Sequence, residues 1–78
     1  MDNRGYSARI IDANRRASDS LGVRLGRYCI SRDIPTIDMA GYFGVSKMTI
    51  YKWFTGKSEP RAVYGEKIQA LLTSGGWE

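Results

Sequence analysis

The chain has no histidine and a single cysteine, Cys29, among 78 residues. One cysteine cannot form an intramolecular disulfide. A structural zinc site needs about four Cys or His ligands, which this chain does not hold. The same shortage excludes a Ser–His or Cys–His nucleophile pair. Long apolar runs are also missing: the longest span only a few residues, far below the ~18 of a membrane helix. The opening stretch, MDNRGYSARIIDANRR, has no hydrophobic signal region. There are no internal repeats, no glycine-rich phosphate loop and no paired carboxylates in a helical register. No catalytic group is visible, so an enzyme is not expected. The expectation is an intracellular, cytoplasmic protein held together by packing alone, without cofactor, metal or membrane.

What is present is ordinary in amount and uneven in placement. Apolar residues make up 42% and charged residues 26% of the chain, as in a soluble globular domain. Its length suits one domain with a small core. The net charge is +4 and the isoelectric point about 9.5, which favours a polyanionic partner. Residues 46–61 carry Lys47, Lys52, Lys57 and Arg61 against Glu59, a net of +3. Residues 1–20 and 21–45 each come to +1, and residues 62–78 to −1. A solvated helix face usually mixes signs, so this clustering points to an anion.

The pattern along the chain is helical. Residues 1–18 are polar and Arg-rich and read as a flexible or short helical basic arm, with a helix near 7–16 as its ordered form. Leu21, Leu25, Tyr28 and Cys29 then form an apolar stripe, with Asp19 and Ser20 as its N-cap residues. Pro35 ends that helix. Thr36 caps a short second helix with Ile37, Ala40 and Phe43 as its apolar positions and Met39 beside them. Gly44 stops it, and Ser46 caps a third. There Val45, Ile50, Trp53 and Phe54 fall on one side, and Met48, Tyr51, Lys52 and Thr55 on the other. Thr55 to Pro60 reads as a loop. Pro60 opens a last helix whose apolar side is Ala62, Val63, Ile68, Leu71 and Leu72. Nothing reads as a strand. The expected fold is all-α, with four to five helices: a domain over 19–73 and a tail at 74–78, where Trp77 has no obvious core to join.

The segment TIDMAGYFGVSKMTIYKWF meets a demanding set of spacings. Ala40 is small where two helices must approach closely. Gly44 follows where a sharp turn needs positive φ. Val45 plugs the gap between the helices, and Ile50 and Trp53 face back from the second helix. This register, with the leucines before it and Trp53-x-x-Gly56-x-x-x-Pro60 after it, resembles the helix-turn-helix of the lambda-repressor and Cro family of small phage and plasmid regulators. The likeness runs from Leu21 to about Leu72 and places the helix-turn-helix at about residues 36–55. The chain departs from the family at two points. Phe54 stands where many members have an acid after the Trp, and Cys29 where an Arg often pairs with it. An apolar pair can replace a buried ion pair without loss, because desolvation rivals the attraction.

The resemblance implies sequence-specific binding of double-stranded DNA by a Cro-like transcriptional repressor or regulator. Occupying an operator as a homodimer is its simplest mechanism. It implies that Lys47, Met48, Thr49 and Lys52 read bases in the major groove. Thr36 and Ser46, at helix starts, would meet phosphates through free amides as well as capping. Lys57 and Ser58 would touch the DNA backbone, and Tyr51 either touches phosphate or covers the helix. Arg4, Arg9, Arg15 and Arg16 read first as a solvated tail, and second as an arm along a groove. Trp77 is either a free end or an anchor for a partner subunit. The competing class is a small phage-type protein-interaction module or inhibitor using the same basic face on an acidic protein. RNA binding is a third, with Tyr51 and Trp77 as stacking residues that no sheet arranges.

Overall fold

A computed structural model describes residues 6–75. It contains five α-helices and no strand among the described residues: α1 (Ala8–Arg16), α2 (Leu21–Ser31), α3 (Thr36–Phe43), α4 (Lys47–Phe54) and α5 (Ala62–Ser74). The fold is all-α. Three helices start at a serine whose side chain accepts a backbone N–H of the first turn: Ser7 from Ile10, Ser20 from Val23 and Ser46 from Thr49. Each cap satisfies an amide that would otherwise lack a partner.

The ends of α2 and α3 differ in detail from the expectation. Pro35 does not end α2, which stops at Ser31. The chain turns at Asp33, whose φ of 58° lies in the left-handed region, and the Ile34 amide returns to the Cys29 carbonyl at 2.9 Å. Pro35, not Thr36, is the N-cap of α3, and it makes no side-chain capping bond. Thr36 is the first helical residue, and it is buried. The buried side of α3 is Thr36, Met39, Ala40 and Phe43, at i, i+3, i+4 and i+7. Ile37 was expected in the core but is 63% exposed. At 100° per residue it sits about 110° from the centre of that stripe.

A similar rotation corrects α5. The helix starts at Ala62 behind an Arg61 N-cap rather than at Pro60. Val63 is 71% exposed, and Ala62 is exposed as well. The inward stripe is Tyr64, Ile68, Leu71 and Leu72, at i, i+4, i+7 and i+8. Tyr64 was not expected there. Its ring lies 5.3 Å from Trp53 and 6.1 Å from Phe43, so one aromatic group joins α3, α4 and α5.

The core centres on α4, which packs most extensively against α2 and α3. Gly22 and Gly26 make the α2 approach close. A Cβ at Gly22 would lie 2.8 Å from the Trp53 carbonyl oxygen, and one at Gly26 2.8 Å from Phe54 Cγ. Cys29 and Phe54 are both fully buried in the same cluster. Within the segment read as an arm, residues 8–16 form α1, which packs on α2 and α4. The Tyr6 ring stacks on Phe54 at 6.2 Å and its hydroxyl donates to the Ile34 carbonyl at 2.6 Å. Buried Asn14 donates to the carbonyls of Phe54 (2.6 Å) and Val23 (3.1 Å). Arg4 and Trp77 lie outside the described residues.

Candidate nucleic-acid interface

Short sequence signals position both ends of α4. Gly44 closes α3 at φ 71°, and the Val45 amide bonds back to the Ala40 carbonyl at 3.0 Å. Three residues, Gly44, Val45 and Ser46, therefore join α3 to α4. Ser46 accepts the Thr49 amide at 3.1 Å, and its hydroxyl lies 3.0 Å from that of Thr49. At the far end Gly56, at φ 80°, closes the helix. Its amide reaches the Trp53 carbonyl, and the Lys57 and Ser58 amides share the Lys52 carbonyl at 2.9 and 3.3 Å. This is the paired hydrogen-bond pattern that ends helices at a glycine. It holds Lys57 close to the end of the helix that carries Lys52.

Seen around its axis, α4 is two-sided. Ile50, Trp53 and Phe54 are buried. Lys47, Met48 and Lys52 are exposed, Met48 to 61%, and Thr49 and Tyr51 are half-buried. Lys57 is exposed and Ser58 half-buried. Tyr51 is tied down: its carbonyl accepts the Thr55 hydroxyl at 2.7 Å, and its own hydroxyl accepts that of Thr36 at 3.4 Å. Thr36, at 4% exposure, meets this surface through Tyr51 and not by its own side chain.

The outer side of α4 does not stand alone. A groove of about 310 Å³ separates it from α1. Met48 and Ile10 line it, with Tyr51 beside them, and Arg9, Lys52 and Lys57 supply three cations. No carboxylate lines it. Several cations elsewhere are engaged. Arg16 pairs with Asp12 at 3.2 Å and Arg24 with Asp19 at 3.0 Å. Arg27 donates to the carbonyls of Asn14 and Ala17. The Asp19 carboxyl is held below its ordinary value by the hydrogen bond from Arg24.

Sequence reasoning did not place Arg9 beside α4. A weak signal existed: Ile10, Ala13, Asn14 and Ala17 recur at i, i+3, i+4 and i+7. The side they form is only faintly apolar, and its deepest member is an asparagine. Hydropathy patterns miss such a side because part of its attachment is made by hydrogen bonds, beside the packing of Ile10 and Ile11 on the core.

The buried titratable groups offer no reactive centre. Burial pushes the Cys29 thiol up to about 12, which keeps it protonated and unreactive at neutral pH. Burial, and then the neighbouring Cys29, also raises Tyr6 above the ordinary tyrosine value. Among the described residues no group of three or more His, Cys, Asp or Glu is placed to hold a metal ion. No helix among them is long and apolar enough to cross a membrane. No family model, curated protein or solved structure matches the chain.

Proposed function

We propose that this protein binds double-stranded DNA in a sequence-specific way and regulates transcription inside the cell by occupying an operator. The observation that carries the reading is the two-sided α4. A serine-capped, eight-residue helix is clamped from behind by buried rings and presents Lys47, Met48, Thr49 and Lys52 outward, with Lys57 fixed just past its end. In this reading α3, the Gly44 turn and α4 form a helix-turn-helix of the lambda-repressor and Cro kind, and α4 enters the major groove. Lys47 and Lys52 donate to guanine O6 and N7, while Met48 and the Thr49 methyl meet thymine methyls. Ser46, Lys57 and Ser58 meet phosphates, and Thr36 supports Tyr51 at the edge of the contact. The protein acts as a homodimer, so its half-sites lie about 34 Å apart.

Selection of bound sequences from a random duplex library at roughly 0.15 M salt tests this. An enriched palindrome with half-sites one helical turn apart supports all of it. An enriched single site supports specific binding without the dimer. No enrichment, with salt-sensitive capture of an acidic protein instead, overturns the reading in favour of an interaction module.

A further inference from the structure

α1 brings a cation into the surface formed by α4, and the way α1 is attached makes that placement rigid. Asn14 spans from α1 to the last carbonyl of α4, that of Phe54, and to the Val23 carbonyl in α2. Arg27 holds the end of α1 through the Asn14 and Ala17 carbonyls. Tyr6, just before α1, stacks on Phe54. These contacts hold α1 beside the outer side of α4, with Arg9 across the groove from Lys52 and Lys57.

We propose that the α1–α4 groove seats a sugar–phosphate strand of the duplex, with Arg9 on a phosphate. α1 is then a second, preformed element of the DNA-binding surface. This rests on the duplex-binding reading above and adds to it a residue and a place. Two features of the groove select the occupant. Three cations with no carboxylate among the lining residues complement a polyanion. Ile10, on the α1 wall, suits the apolar edge of deoxyribose, while Met48, at the start of α4, is left to the bases. Because α1 is already docked, little ordering cost falls on binding, unlike that of an arm that folds on its target. The other α1 arginines are placed differently. Arg16 is paired with Asp12. Arg15 is about 120° around the helix from Arg9, beside Ile11 and Ile30 and away from the groove.

The test compares the full chain with Arg9→Ala, Arg9→Lys and Arg15→Ala, titrated with salt against a mixed-sequence duplex and against poly-glutamate. Both alanine variants lose one positive charge, so net charge alone predicts equal effects. The expected result is a salt slope lower by about 0.9 for Arg9→Ala on the duplex. Arg9→Lys should restore it, and Arg15→Ala should leave it unchanged. If the wild-type chain binds the duplex and Arg9→Ala matches Arg15→Ala, the groove contact is overturned and the α4 reading stands. If Arg9→Ala weakens poly-glutamate and duplex alike, the groove is a general acidic-partner site and the strand assignment is overturned. If the wild-type chain binds no duplex, both readings fall together.

Discussion

On its inner side α4 carries Ile50, Trp53 and Phe54, packed against the glycines of α2, the Phe43 ring and the Tyr64 ring. On its outer side it carries Lys47, Met48 and Lys52, exposed to water. Volume and contact decide what the inner side tolerates. Charge and hydrogen-bonding shape decide what the outer side tolerates. Folding and binding should therefore respond to different substitutions within one eight-residue helix.

The largest expected effect is on the inner side. Phe54→Ala removes a fully buried ring that contacts α2 and stacks on Tyr6, and should cost roughly 3–5 kcal/mol. Urea unfolding measures it, and a loss within error of zero would mean Phe54 is not core. Gly44→Val comes next. A Cβ there meets no neighbour within 4 Å, so any loss is due to the left-handed backbone alone, at roughly 1–3 kcal/mol. An unchanged melting temperature would contradict the turn.

The outer side should leave the melt alone and change binding. Lys52→Ala should lose roughly 1–3 kcal/mol on the preferred duplex and relax the preference at one base position, with a smaller loss on random DNA. Lys57→Ala should weaken all duplexes about equally and lower the salt slope by roughly one unit. Paired titrations on specific and scrambled duplexes separate the two. Equal losses for both variants on both duplexes would make Lys52 a simple charge and remove the distinction between reading and holding.

The smallest effect is absent at neutral pH. Folding raises the Cys29 thiol from 9.0 to about 12, so the folded state favours the neutral form. Its contribution is fully present below pH 9 and is lost as pH rises toward 12. Tyr6, raised in the same direction by burial, adds to the loss above its ordinary value of 10.0. Urea midpoints should hold steady up to pH 9 and then fall, and Cys29→Ala should delay the fall. A flat wild-type profile from pH 9 to 12 would contradict the burial of both groups.

Much of the fold was legible wherever one residue type carries one conformational demand. Gly44 needs positive φ, Ser46 needs a first-turn amide, and Ile50–Trp53–Phe54 form a strong stripe; the structure has each as read. Legibility failed where a helix was short or its apolar signal diluted. In α3, an eight-residue helix, Ile37 and Thr36 compete for the inward position. Hydropathy favours Ile37, but the close approach of Ala40 and Phe43 turns Thr36 inward. In α5, Val63 outranks Tyr64 on hydropathy, yet ring packing against Trp53 sets the rotation.

The candidate surface divides in the same way. Sequence alone determined that α4 would have a cationic outer side, because 3.6-residue periodicity sorts Lys47 and Lys52 away from Ile50 and Trp53. It also determined that Lys57 would follow closely, because Gly56 can close a helix. Only the tertiary structure decided that α1 lies beside that surface and that Arg9 joins it. That placement depends on Asn14 bonding to backbone carbonyls 9 and 40 residues away in the chain. Backbone carbonyls look the same at every position, so no residue pattern could announce which ones Asn14 would find.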